Sequence, residues 1–159
     1  YHNIFGPYGT WEGGREKAPA AFCRKVAECY DGGEIEVWGP GTQTRSFLYV
    51  DECVEATYRL MQSNFCGPVN IGSEEMISIN DFAKMAIDIS KKDVSIYNID
   101  GKEFEEKYGH KCPIGVNGRN SDNNLYEEQV GWAVSEPLRK GMEKTYAWIN
   151  EQIREKKDV

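Results

Sequence analysis

Apolar residues recur along this chain in two rhythms, and their alternation sketches its elements. Phe22, Val26 and Cys29 keep the spacing of a helix face, predicting a helix from about Ala18 to Tyr30 that the Asp31-Gly32-Gly33 turn closes. Ile35 and Val37 alternate with polar neighbours across Glu34 to Trp38, the rhythm of a half-buried strand. After the Gly39-Pro40-Gly41 break, residues 42–46 read as a polar, donor-rich loop and the unbroken run Phe47 to Val50 as a buried strand. Asp51 is placed to cap the next helix, with Val54, Thr57, Tyr58 and Met61 on its core-facing side. Cys66-Gly67-Pro68 turns the chain, and Val69 to Gly72 reads as a short strand.

Further on, Ser78 and Asp81 have capping-box spacing ahead of Phe82, Met85, Ala86 and Ile89, a helical stripe. Val94 to Ile99 reads as a strand, and the polar stretch from Asp100 to Pro113 as an exposed loop or a short helix. Ser121 or Asp122 can cap a short helix running to Val130 and ended by Gly131. Leu138, Met142, Thr145, Ile149 and Ile153 mark one face of a final helix that fades into the charged tail REKKDV. Strands and helices alternate without internal repeat, so the expected class is α/β, or α+β in layers.

Composition narrows this picture. With 159 residues the chain suits one core, and its 40% apolar content indicates a folded unit. A formal charge of −7 argues against nucleic-acid or acidic-membrane binding, so phosphate recognition must fall to a few placed cations. No apolar run reaches membrane-spanning length and no signal peptide opens the chain. Five scattered cysteines without a CxxC pair suggest reduced thiols in a cytoplasmic protein. Cys23, Cys29 and Cys53 read as small buried residues, and with only two histidines a zinc site is not expected. Trp38 and Phe47 read as core residues rather than stacking platforms.

One residue is oddly placed. Gly13-Gly14 reads as a flexible loop and Pro19 as first-turn helix, which puts Lys17 just ahead of a helix start. There the unpaired N–H groups and the helix dipole disfavour a cation, a setting that suits an amine exchanging protons near neutral pH. The competing reading is a solvated lysine paired with Glu16 or Glu12.

Three motifs then stand in order: NIFGP at 3–7, WGPGTQTRSFLYVDE at 38–52 and VNIGS at 69–73, followed by RNSD at 119–122. Together they resemble the carboxy-terminal, substrate-binding half of extended short-chain dehydrogenase/reductases that act on nucleotide sugars. GTWEGGREKAPAAFCRK at 9–25 and GRNSDNN at 118–124 narrow the resemblance to the GDP-mannose 3,5-epimerases. It covers nearly the whole chain, 1–159, and loosens between Lys91 and Pro113, where an insertion is expected. The chain has no start methionine, no GxxGxxG and no YxxxK, so the amino-terminal NAD-binding Rossmann part is expected in sequence preceding it.

What the resemblance implies is a transient redox cycle: NAD takes hydride from C4 of the sugar of GDP-mannose, the ketone acidifies C3 and C5, a base and an acid invert those centres, and the hydride returns. The acid of the family corresponds to Lys17. Asn3 is expected at the sugar or diphosphate, and Glu16 and Ala18 in the sugar pocket. Lys25, Arg45 and Arg119 are expected at the diphosphate and Gln43 at the nucleotide, with Asp122 orienting Arg119 or capping a helix. The full-length protein is expected to be a homodimer, and this chain alone inactive. Two other readings compete: a different NAD-dependent nucleotide-sugar epimerase, dehydratase or decarboxylase, and a non-catalytic nucleotide-sugar binding module.

Overall fold

A computed structural model describes residues 1–157; the last two positions of the REKKDV tail, and with them the end of the 1–159 span, lie outside it. Three helices form the main packing layer. The first, α1 (Ala18–Glu28), begins with proline in its opening turn and buries Phe22, Cys23, Val26 and Ala27. It lies along the final helix, α6 (Leu138–Lys157), whose Leu138, Met142, Thr145, Ile149 and Ile153 are all buried, as their spacing predicts. The buried Thr145 hydroxyl is satisfied by donating to the Gly141 carbonyl at 2.8 Å. Against both packs α3 (Ile79–Ser90), whose entry is capped as predicted: the Asp81 N–H donates to Ser78 Oγ at 3.1 Å.

The strands are short and grouped in three small sheets. β1 (Ile4–Phe5) pairs in parallel with β4 (Leu48–Tyr49), and β2 (Gly33–Trp38) in parallel with β6 (Val94–Ile99). β3 (Thr44–Ser46) lies between β5 (Met76–Ser78), antiparallel, and β7 (Gly118–Arg119), parallel. Phe5, Phe22, Phe47 and Phe82 link strands to helices, with Phe47 stacked on Phe82 at 4.6 Å between centroids. A second, smaller core gathers Leu48, Cys53, Ala56, Ile71 and Tyr126 between α2 (Val50–Gln62) and α5 (Asn124–Val130).

Several expectations are corrected. Val54, Tyr58 and Met61 face solvent, and α2 instead buries Cys53 and Ala56. The small side of the helix allows close approach, and the Tyr126 hydroxyl reaches the Ala56 carbonyl at 2.8 Å. Asp51 lies in the first turn of α2 rather than at its cap, because the helix starts directly from β4 at Val50. Val69 to Gly72 forms no strand: its link to the amino-terminal segment is a bond from the His2 N–H to the Ile71 carbonyl, not a ladder. The buried run beginning at Phe47 is strand only over Leu48–Tyr49, and the preceding polar loop contains β3. The stretch after Asp100 resolves as a helix, α4 (Gly101–Tyr108), which buries Phe104. α4 also explains Trp38, which is not core but 40% exposed, with its ring edge-on to Phe104 at 5.2 Å.

Candidate functional site

One face of α1 along its length, the loop before it, β2, β3 and the end of α4 surround one cavity of about 1130 Å³. That exceeds the roughly 300–1,000 Å³ of ordinary small-molecule pockets. Asn3, Glu16, Lys17, Ala18, Lys25, Gln43 and Arg45 all line it. Arg119 does not: it lies on exposed β7, in register opposite Arg45 of β3, and is not among the residues that line the cavity.

Lys17 is the N-cap residue of α1 and its side chain makes no capping bond, while its carbonyl accepts the first helical bond from the Ala21 N–H at 2.9 Å. It is exposed and forms no ion pair among the described residues, so the pairing with Glu16 or Glu12 is not what the structure has. Glu16 is instead taken by Arg24 at 2.7 Å, with its other oxygen accepting the Gly14 N–H at 2.7 Å. Burial opposes ionisation of Glu16, but these bonds outweigh it and hold the carboxyl below the ordinary glutamate range.

Five cations line the cavity, and their pairing divides them. Arg24 is held by Glu16 and Glu28, and Lys107 by Glu36. Lys17, Lys25 and Arg45 have no carboxylate partner among the described residues. Lys25 donates its amine to the Glu36 carbonyl at 2.7 Å and sits 5.8 Å from the Trp38 ring centroid. Burial pulls its pKa down, partly offset by the charge of Glu36. Arg45 donates one guanidinium nitrogen to its neighbour's carbonyl, Thr44, at 2.7 Å, and its remaining donors are unused. Gln43 is buried, and its Oε1 accepts no hydrogen bond among the described residues. Asn3 takes a left-handed backbone, φ 47°, and its side chain donates to the Ser46 carbonyl at 3.0 Å, tying the opening segment to β3. Three cations without counter-ions and a buried acceptor without a donor make a site for a polar anion carrying hydroxyl or amide groups.

Behind Arg45, His2 is held below the ordinary histidine pKa by burial first and then by the charges of Arg119 and Arg45. Asp122 does not cap α5, whose N-cap is Asn123; it lies one residue earlier, its Oδ1 accepting the Asn124 N–H at 3.1 Å, and no ion pair joins it to Arg119 among the described residues.

Sequence reading missed Arg24, Glu36, Lys107 and Tyr108. Glu36 accepts from Lys107, Tyr108 and the Trp38 indole N–H, so α4 becomes a wall of the cavity. Glu36 and Lys107 are 71 residues apart, and no local pattern signals that pairing.

The sequence compares closely with known proteins. It is 52% identical over 157 residues, 99% of this chain, to GDP-mannose 3,5-epimerase of Arabidopsis thaliana. Over nearly its whole length the chain is similar to the GDP-mannose 3,5-epimerases. GDP-mannose 3,5-epimerase 1 of Oryza sativa subsp. indica is 50% identical over the same length. The chain spans 38% of the length of each of these curated relatives. Residues 1–72 match the model of the NAD dependent epimerase/dehydratase family. The fold also matches a UDP-N-acetylglucosamine 4-epimerase from Methanobrevibacter ruminantium M1, with a TM-score of 0.80 at 20% identity, over 96% of this chain and 45% of that one. The architecture is therefore α/β of the extended short-chain dehydrogenase/reductase type, as the motifs predicted.

Proposed function

We propose that this chain is the carboxy-terminal, substrate-binding part of a cytoplasmic GDP-mannose 3,5-epimerase, working with an amino-terminal NAD-binding part outside residues 1–159. The observation that carries this is the set of unpaired cations in one cavity, Lys17 at its helix-entry end and Lys25 and Arg45 deeper along it. Lys25 and Arg45 hold the diphosphate, the Arg fork matching phosphate oxygens. Gln43 accepts a hydrogen bond from the nucleotide. Asn3 and Ala18 border the sugar, and Lys17 delivers a proton to a ring carbon beside a ketone. Glu16 serves this reading by its bonds to the loop rather than by touching the sugar.

The residues of this chain do not fit NAD. Its strand-to-helix junctions lack a glycine-rich phosphate loop, and the first turns of α2, α3 and α4 carry Asp51 and Glu52, Asp81 and Glu103, which would repel a pyrophosphate. Redox chemistry belongs to the amino-terminal part, and the full-length protein is a homodimer in this reading. Among the described residues no helix is long and apolar enough to cross a membrane.

Two measurements test the proposal. Calorimetry with this chain should show GDP-mannose binding over UDP-glucose, weakened by Arg45→Ala. In the full-length enzyme, Lys17→Ala should abolish solvent-deuterium incorporation at C3 or C5 while leaving substrate binding in place. Undiminished incorporation in that variant overturns the role of Lys17.

A further inference from the structure

Gly13 and Gly14 have φ of +87° and +81°, and a Cβ at either would meet nothing within 4 Å. Trp11 ahead of them packs against the core, but the glycine stretch between it and Lys17 is not packed in place; polar contacts hold it. Arg24 makes two of them, and a third bond steadies it on its own helix. Its Nε donates to the Trp11 carbonyl at 3.2 Å, its Nη2 to Glu16 at 2.7 Å and its Nη1 to Glu28 on its own helix at 3.0 Å. Glu16, with its side chain only 7% exposed, passes the restraint on by accepting the Gly14 N–H. Both ends of the glycine hinge are thus fastened to one guanidinium on α1, the helix that Lys17 opens. A further strap comes from α6, where Lys156 pairs with Glu12 and lies 4.8 Å from the Trp11 ring centroid.

We infer that Arg24 is the positioning residue of this site: by fastening Trp11 and Glu16 to α1 it fixes the 11–17 loop and, through it, the path of the Lys17 side chain into the cavity. The inference rests on the reading of Lys17 as proton donor. Arg24 touches no substrate; its geometry is a fork closed on a carbonyl and two carboxylates, which a lysine can only partly replace.

The test uses the full-length holoenzyme with GDP-mannose, comparing Arg24→Met, Arg24→Lys and Lys17→Ala. Arg24→Met should lower kcat by about ten-fold or more, the scale of a small misplacement of a catalytic group, with KM nearly unchanged. Amide hydrogen exchange at residues 13–17 should speed up in the same variant. Arg24→Lys, able to reach Glu16 but not the Trp11 carbonyl at once, should recover part of both. Unchanged exchange in Arg24→Met overturns the inference, as does a raised KM with kcat intact. Lys17→Ala separates the two failures: full activity there overturns the reading of Lys17, whereas an active Arg24→Met beside an inactive Lys17→Ala overturns the role of Arg24.

Discussion

Lys25 and Arg45 show why a cation's partners matter more than its presence. Each lines the cavity and donates to a carbonyl oxygen rather than to a carboxylate, so neither is committed to a counter-ion among the described residues. Arg45→Ala should weaken GDP-mannose binding by about ten-fold or more, given roughly 1.5–3 kcal/mol for a hydrogen bond to a charged group. Arg45→Lys should restore only part, because a point charge does not reproduce the fork; equal binding by calorimetry would count against a bidentate contact. Thiols divide in the same way by surroundings. Cys23 is fully buried, its pKa pushed up to about 12 by that burial, while Cys66 is exposed. Maleimide at pH 8 should therefore label Cys66 and spare Cys23 in the native chain, read by peptide mass mapping.

Among the elements, α4 depends most on ionisation. Its Lys107 and Tyr108 reach the cavity because Glu36 of β2 accepts from both, and from Trp38. Burial works against the Glu36 charge, but these donors outweigh it and depress its pKa below the ordinary 4.5. A depressed carboxylate contributes stability that is complete above the unfolded value and lost as pH falls through the folded one. The seat of α4 should accordingly loosen as pH falls below about 4.5. The Trp38 indole N–H resonance reports this directly: it should shift over that acid range in the native chain and stay flat in Glu36→Gln.

At the scale of the whole molecule, two substitutions that look alike in sequence should differ sharply. Gly141 lies where α6 meets the β1–β4 pair, and a Cβ there would sit 2.8 Å from Tyr49 and 3.0 Å from Phe5. Gly141→Ala should thus destabilise by about 1–3 kcal/mol despite alanine's better helix propensity, the usual cost of overpacking. Val54→Ser, on the outer face of α2, should cost about 0.5 kcal/mol or less, since that side chain is already exposed. Urea denaturation measures both; a stabilised Gly141→Ala would mean that α6 can shift away from the strands.

Periodicity alone placed α1, α3, α6, β2 and β6, because each has a one-sided apolar pattern long enough to fix its type. The capping pair Ser78 and Asp81 and the five buried positions of α6 were legible for the same local reason. Strands of two or three residues such as β1, β3, β5 and β7 carry no period, and their pairing partners lie far along the chain. The α2 stripe misled because Val54, Tyr58 and Met61 have helical spacing too; only packing decided that the smaller Cys53 and Ala56 face inward. The helix entry at Lys17 was written in the sequence, since proline and the glycine loop fix it locally. What surrounds it was not: Arg24 closing on Glu16 depends on how the loop folds back on α1, and Glu36 seating α4 joins segments 71 residues apart, so only the folded chain brings those charges within reach of one another.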